Sequence, residues 1–175
     1  GFLNEKDLAD VLENNESLQD LLPVFENSGY RGLYQYVMDL PQESVDILLQ
    51  PLKDKILPMY ASGKLVKSNP DFWAARAMIS YPGKMDRGIF SIYFFNLVRL
   101  NAGQAIFQGA GVPHAYLEGQ NIELMSNSDN VLRGGLTPKH IDVPELMKHI
   151  RFEAVYPVIM DGEGDQIECR YICPV

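Results

Sequence analysis

The stretch between residues 114 and 139 carries the side chains of this sequence that could do chemistry together. They are one imidazole, two carboxylates and two cations: His114, Glu123, Asp129, Arg133 and Lys139. The combination is typical of metal-assisted chemistry on a sugar, since imidazole binds metal ions, carboxylates transfer protons and cations hold anionic groups. A metal ion that keeps one coordination position open for chemistry needs about three protein ligands. Because the sequence has only 3 histidines in all, this stretch predicts part of a metal site.

Composition places the chain among ordinary globular proteins and excludes several function classes. Of its 175 residues, 46% are hydrophobic and 22% are charged, as in a typical folded domain. A net charge of -8 with 15 scattered basic residues argues against nucleic-acid binding, which needs clustered cations. No window is apolar enough for a membrane span and the start lacks the layout of a secretory signal, so we expect a cytoplasmic protein. Cys169 and Cys173 predict neither a zinc knuckle nor a disulfide framework, and we expect reduced thiols.

The first part of the chain is predicted to be helical, because its apolar residues follow a helical spacing up to about residue 82. These helices would support the stretch 114–139. Asn4 is a candidate N-cap, and Asn69 followed by Pro70 predicts a helix that stops before Tyr81. The clearest helical stripe consists of Val45, Leu48, Leu49, Leu52 and Ile56. Pro51 and Pro58 interrupt that stripe, which predicts a kink or two short helices. Residues 1–82 are therefore expected to form a helical domain.

Short strands are predicted in the second part of the chain, residues 83–175, where aromatic and β-branched residues alternate with glycine-rich turns. The predicted strands are Ile89–Leu100, Ala105–Phe107, Ile122–Met125, Val131–Arg133 and Phe152–Ile159. One helix should start near Asp142 and bury Leu146, Met147 and Ile150. Many short strands with such turns are typical of an antiparallel sandwich or barrel. The predicted fold class is α+β, with a helical domain followed by a partial β domain.

Several motifs in this stretch together resemble one enzyme family. Gln108-Gly-Ala-Gly-Val-Pro-His114 is similar to the turn of cupin barrels that presents a metal-binding histidine. His114-Ala-Tyr-Leu-x-Gly, Glu123-x-Met-x-x-Ser-Asp-Asn130 and Val131-x-Arg133-x-Gly-x-Thr-Pro-Lys139 resemble the signature of type I mannose-6-phosphate isomerases, also called phosphomannose isomerases. The resemblance spans about residues 88–153. It implies that the β domain is one half of a cupin jelly-roll.

This resemblance implies a zinc-dependent aldose-ketose isomerase that interconverts mannose 6-phosphate and fructose 6-phosphate through a cis-enediol. It assigns His114 as a zinc ligand and Arg133 as the active-site arginine. In the family, the zinc site is completed by a Gln-x-His pair and a glutamate from the earlier part of the chain. The present sequence contains no Gln-x-His. We therefore expect an internal piece of such an isomerase that lacks the N-terminal zinc ligands and has little or no activity by itself.

Two carboxylates in the stretch are candidates for proton transfer. Alternation along the predicted strand turns Glu123 toward His114 if Ile122 and Leu124 pack into an outer layer. Asp129 lies four residues before the arginine, but its Ser-Asp-Asn context equally suits a turn held by side-chain hydrogen bonds. The sequence leaves open which carboxylate moves the proton.

The remaining candidates also have a structural alternative each. Lys139 could contact the substrate phosphate or be a solvated loop lysine. Tyr116 lies two residues from His114, so both side chains would share a strand face and Tyr116 would line the pocket or donate a hydrogen bond. Arg133 could instead be a surface ion-pair partner, and His114 could be a structural histidine.

Other functions compete with the isomerase hypothesis. An iron-dependent cupin oxidoreductase usually needs two histidines and a carboxylate in one facial triad, and no second histidine lies near His114 in the sequence. A non-catalytic sugar-binding or regulatory cupin domain is the alternative from another class, although it would not need the full set of charged residues. Half a barrel would also leave strand edges unpaired, which favours self-association of the chain.

Overall fold

The computed structural model describes residues 1–81, 83–125, 127, 131–164 and 168–173. Within these residues the helices are α1 (Glu5–Glu13), α2 (Leu22–Asp39), α3 (Gln42–Ala61), α4 (Pro70–Ser80), α5 (Gly88–Phe94) and α6 (Val143–His149), with a 3-10 turn at Gln19–Leu21. The strands are β1 (Gln104–Ile106), β2 (Ile159–Asp161), β3 (Glu163–Gly164) and β4 (Cys169–Arg170). This composition confirms the broad α+β class.

Three helices begin where the sequence predicts, two of them at the predicted caps Asn4 and Asn69 and the third at Asp142. Asn4, Asn69 and Asp142 each accept a hydrogen bond from a backbone N–H in the first turn of the following helix, at 2.9, 2.9 and 3.0 Å. Such caps satisfy one of the N–H groups that have no partner inside the helix. α4 ends at Ser80, before the Tyr-Pro-Gly sequence, as predicted. Local sequence therefore determines where these helices start.

α3 is continuous despite its two prolines, so the expected division into two short helices is wrong. Pro51 and Pro58 lie inside the helix and are both exposed. The carbonyl that loses its donor because of Pro51 belongs to Ile47, whose side chain is also 67% exposed. Water can hydrate a carbonyl on that face, which reduces the cost of the missing hydrogen bond. The opposite face buries Val45, Leu49, Leu52 and Ile56.

The predicted strand Ile89–Leu100 is wrong: α5 forms over its first part, Phe95 makes only an isolated bridge with Phe2, and residues 96–100 belong to no strand. Ile89, Phe90, Tyr93 and Phe94 are buried, and their spacing corresponds to one face of a helix. α5 packs against α1 and α4. β propensity measures how well a side chain fits a sheet surface, so helical packing can override it.

Strand pairing in the second part of the chain is limited in the described residues to two two-stranded sheets. β1 pairs antiparallel with β2, with Ala105 opposite Met160, and β3 pairs antiparallel with β4. The prediction of a strand at Ala105–Phe107 is largely confirmed, whereas the predicted strands Ile122–Met125 and Val131–Arg133 are wrong because these residues are irregular. The antiparallel sandwich is not confirmed.

A single hydrophobic cluster connects the helices with the start of the second part of the chain. Phe2 is fully buried at its centre, with its ring centroid 5.2 Å from that of Tyr30 and 4.8 Å from that of Phe95. Asn96 Nδ2 donates to the carbonyl oxygens of Phe2 and Val155, each at 2.8 Å. The chain that leads to the candidate site is thus fixed to the helices. Among the described helices, none is long and apolar enough to cross a membrane.

Candidate active site

A tight glycine turn presents His114. Gly111 has a φ of 76°, and a Cβ at this position would lie 2.5 Å from the carbonyl oxygen of His149. The Gly111 carbonyl accepts a hydrogen bond of 2.9 Å from the backbone N–H of Arg151. Only glycine combines this φ with such close approach, so the turn predicted from the sequence has a physical basis.

The ring of His114 is oriented by its own backbone. Nδ1 lies 2.9 Å from the carbonyl oxygen of Val112, and a carbonyl can only accept a hydrogen bond, so Nδ1 carries the proton. In the neutral imidazole, Nε2 then has a free lone pair. A fixed tautomer of this kind is typical of metal-binding histidines and of histidines that accept a proton.

His114, Tyr116 and Glu123 form a surface group that we name the His-Tyr-Glu cluster. His114 Nε2 lies 3.9 Å from Glu123 Oε1, and the His114 and Tyr116 ring centroids are 5.9 Å apart in an edge arrangement. Partial burial and the hydrogen bond to Glu123 raise the pKa of Tyr116, against a smaller opposite effect of Asn121. Tyr116 is therefore a neutral hydrogen-bond donor at neutral pH.

Glu123 lies beside His114 for a different reason from the one that the sequence suggested. Ile122 and Leu124 do not pack into an outer layer of a sheet, since they are 92% and 93% exposed. The segment is irregular, and Glu123 Oε1 lies 3.9 Å from His114 Nε2 without any strand to place it there. The cluster is open to solvent, with Glu123 and His114 side chains 45% and 37% exposed.

The cluster alone does not have enough ligands for a catalytic metal. Among the described residues, no group of three or more His, Cys, Asp or Glu side chains could hold a metal ion. His114 and Glu123 supply two donors. A tetrahedral zinc ion bound to both atoms at about 2.0–2.1 Å would hold them roughly 3.3 Å apart, so their present spacing of 3.9 Å is longer than a shared ion requires. His149 is engaged elsewhere, with its Nε2 2.9 Å from Glu145 Oε1.

Arg133 and Lys139 lie on a second segment, at the two ends of residues 133–139. Arg133 is half-buried and Lys139 is exposed. Within the described part of the chain no ion pair or hydrogen bond occupies the Arg133 guanidinium, so the alternative of an ion-pair partner finds no support there. The backbone N–H of Lys139 donates to Thr137 Oγ1 at 3.2 Å. Asp129 lies outside the described residues.

Glu118 connects the loop of the cluster to the helical part of the chain, and no motif in the sequence predicts this contact. Its two carboxylate oxygens accept hydrogen bonds from Lys67 Nζ and Arg76. These hydrogen bonds lower the pKa of Glu118. Arg76 also lies over the Trp73 ring, 5.6 Å from its centroid. The partners are 51 and 42 residues away in sequence, so no local pattern could reveal the contact.

Sequence comparison finds proteins that are named as mannose-6-phosphate isomerases. No protein-family model matches the chain. It is 48% identical to mannose-6-phosphate isomerase 2 of Arabidopsis thaliana over 178 residues, which cover 93% of the chain and 40% of that protein. It is 52% identical to mannose-6-phosphate isomerase of Escherichia coli K12 over 82 residues, covering 47% of the chain and 21% of that protein.

Structure comparison gives the same result. A lysine-to-alanine mutant of phosphomannose isomerase from Salmonella typhimurium matches with a TM-score of 0.80 at 30% identity, covering 99% of the chain and 45% of that protein. The crystal structure of mannose 6-phosphate isomerase from Salmonella typhimurium bound to fructose 6-phosphate and zinc matches with a TM-score of 0.78 and the same identity, with 44% of that protein covered. The chain spans less than half the length of these proteins.

Proposed function

Because this chain belongs to the mannose-6-phosphate isomerase family by sequence and by fold, we propose that it forms part of an enzyme that interconverts mannose 6-phosphate and fructose 6-phosphate. The observation that carries the proposal is the His-Tyr-Glu cluster, which combines an oriented imidazole, a carboxylate and a phenol on one surface. An aldose-ketose isomerisation moves a proton between C1 and C2 through an enediol. It therefore needs a group that takes and returns this proton and positive charge near the oxygens that become negative.

Glu123 is our candidate for the proton-transferring base. Its Oε1 lies 3.9 Å from His114 Nε2, and the Tyr116 side chain lies close to the same carboxylate. The Tyr116 phenol can donate to a sugar oxygen when it is not bonded to Glu123, so it serves as a pocket wall or substrate contact. Asp129 remains a predicted alternative base.

Arg133 and Lys139 are proposed to bind the anionic parts of the substrate. A guanidinium is permanently charged and presents a planar fork, which suits an enediolate or a phosphate. Arg133 has no anionic partner among the described residues, and its side chain is half-buried. Lys139 is exposed and would act as a point charge on the phosphate.

Zinc is the proposed metal of the complete enzyme, with His114 as one ligand. The family relationship and the zinc-bound neighbour support this metal. The described residues do not fit a complete zinc site, since they offer His114 and Glu123 but no third donor beside them. We therefore assign no step of the reaction in this chain to zinc, and we expect the isolated chain to lack isomerase activity.

The experiment uses the purified 175-residue chain in two arms. In a coupled assay, conversion of mannose 6-phosphate to fructose 6-phosphate should not exceed that of a His114→Ala control, which reports contamination by host enzymes. In an NMR titration, fructose 6-phosphate should shift the signals of Arg133 and Lys139, and Arg133→Ala should weaken binding about tenfold, the scale of one charge-assisted contact. Substantial turnover above the control would refute the expected incompleteness, and the absence of binding would refute the proposed substrate contacts.

A non-catalytic sugar-binding or regulatory role is the second candidate. The specific observation in its favour is that no third metal donor accompanies His114 and Glu123 among the described residues. This role predicts sugar binding that does not depend on the phosphate group. Mannose that binds as tightly as fructose 6-phosphate would favour it over the isomerase.

A further inference from the structure

The backbone of Leu136 is held from both sides by the side chains of Tyr81 and Asp86, which lie between α4 and α5. Asp86 Oδ1 accepts a hydrogen bond of 2.8 Å from the Leu136 N–H. The Tyr81 hydroxyl donates a hydrogen bond of 2.8 Å to the Leu136 carbonyl. These contacts are 50 and 55 residues apart in sequence, so they are tertiary anchors and not part of a local turn.

Leu136 needs such anchors because its backbone conformation is unfavourable. Its φ is 53°, and within the described residues it is the sole non-glycine residue with positive φ. A side chain in this region clashes with its own backbone, so the conformation persists only where the surroundings fix it. Asp86 and Tyr81 supply this fixation.

Glycines let the same segment lie directly on the helices. A Cβ on Gly135 would be 2.4 Å from the Cα of Gly88, the first residue of α5. A Cβ on Gly134 would be 2.5 Å from the hydroxyl oxygen of Tyr34 in α2. Both distances are too short for a real side chain, so the backbone at 134–135 lies in contact with α2 and α5.

The anchor is itself rigid. Asp86 Oδ1 also accepts a hydrogen bond of 2.7 Å from the Gly88 N–H at the start of α5. The neighbouring Met85 N–H donates to Asp46 Oδ1 in α3 at 2.9 Å. Asp86 is thus bonded directly to α5 and is connected to α3 through its neighbour Met85.

We infer that Asp86 and Tyr81 are positioning residues that fix the backbone between Arg133 and Lys139 for binding of the sugar phosphate. Arg133 and Lys139 each lie three residues from Leu136, one on either side. Long cationic side chains lose conformational freedom when they bind a ligand, and a backbone already in place lowers that cost. The inference rests on the proposed function, because that function assigns Arg133 and Lys139 to the substrate.

The test uses the whole 175-residue chain with Tyr81→Phe, Asp86→Ala and Asp86→Asn. Tyr30→Phe is the matched control, because Tyr30 also donates from its hydroxyl to a backbone carbonyl, that of Leu3 at 2.9 Å. We measure amide hydrogen exchange at Leu136 and the affinity for fructose 6-phosphate from NMR shifts of Arg133 and Lys139.

Loss of either anchor should speed exchange at Leu136 and weaken fructose 6-phosphate binding, each by about tenfold, the factor that corresponds to one hydrogen bond. Asp86→Asn should restore most of both properties, because the amide oxygen of asparagine can still accept the two hydrogen bonds. Tyr30→Phe should change neither. If Asp86→Ala fails to fold, Tyr81→Phe still tests the loss of an anchor, and Asp86→Asn still tests its retention.

The outcomes separate the two ideas. Unchanged exchange at Leu136 in Tyr81→Phe and Asp86→Ala would overturn the anchor. Faster exchange with unchanged affinity would overturn the positioning role while leaving the proposed function intact. A wild-type chain that shows no fructose 6-phosphate binding at Arg133 and Lys139 would overturn the proposed function. The positioning role of Asp86 and Tyr81 would then be overturned as well, because it rests on that function.

Discussion

The helices and the segments that carry the candidate site are stabilised in different ways. The helices bury one apolar face each, as α3 does at Leu49, whereas Ile122 and Leu124 near the cluster are 92% and 93% exposed. The site segments instead depend on a few polar contacts with the helices, such as those of Glu118 and Asp86. Helical packing therefore provides the stability, while single long-range contacts determine where the chemical groups lie.

Removal of a buried side chain from a helix is expected to have the largest effect on stability. Leu49→Ala should lower the free energy of unfolding by about 2–5 kcal/mol, because it removes apolar contacts and leaves a cavity. Leu124→Ala is the matched substitution in the site region, and it should change the free energy by less than about 0.5 kcal/mol. Urea denaturation followed by circular dichroism measures both. Equal losses of unfolding free energy in the two variants would show that the site region has a core of its own. The helices and the site segments would then not differ in how they are stabilised.

Exposed apolar side chains in the site region should cause self-association of the chain. Unpaired extended segments with exposed apolar residues are prone to pair with another copy. Light scattering at two concentrations tenfold apart should show a rise in mean mass, which Ile122→Ser with Leu124→Ser should reduce. Ile47→Ser is the control, because Ile47 is 67% exposed but lies within the continuous helix α3 and not in an irregular segment. A monomer at both concentrations would contradict this expectation.

Acid should detach the cluster loop from the helices with a small effect on overall stability. Hydrogen bonds from Lys67 and Arg76 lower the pKa of Glu118 below its ordinary value of 4.5. The contact is therefore complete above pH 4.5 and is lost as the pH falls through the lowered pKa. Trp73 is the single tryptophan and lies beneath Arg76, so its fluorescence should change in this acidic range.

A Glu118→Gln variant should lack the acid transition in fluorescence. Glu145→Gln is the matched control, because Glu145 also pairs with two basic side chains, Lys148 and His149, at another surface. It should keep the transition of the wild type. A transition that persists in Glu118→Gln would mean that another carboxylate causes it.

The sequence predicted those parts of the structure that depend on neighbouring residues. Asn4, Asn69 and Asp142 act within one helical turn, so their roles as caps were accessible from local pattern. α5 was mistaken for a strand because its aromatic and β-branched residues suit either structure, and only its packing against α1 and α4 decides between them.

The residue types of the candidate site could be predicted from the sequence, but the tertiary contacts that hold its segments could not. The position of Glu123 beside His114 was expected from strand alternation, and the contact is present although the strand is not. The contacts of Glu118 and Asp86 join residues about 50 apart in sequence, a separation at which periodicity and motifs carry no information. These residues became visible only in the folded chain.

The central claim, that this chain supplies part of an isomerase active site, is tested most directly by a graft. Residues 88–153 of this chain would replace the matching stretch of the Escherichia coli mannose-6-phosphate isomerase, and kcat and zinc content would be measured with and without Arg133→Ala. We expect an active, zinc-containing graft in which Arg133→Ala lowers kcat by on the order of 100-fold, the effect of removing a group that stabilises developing charge, while zinc is retained. A folded, zinc-containing graft without activity, or equal loss of zinc and activity in Arg133→Ala, would contradict the claim.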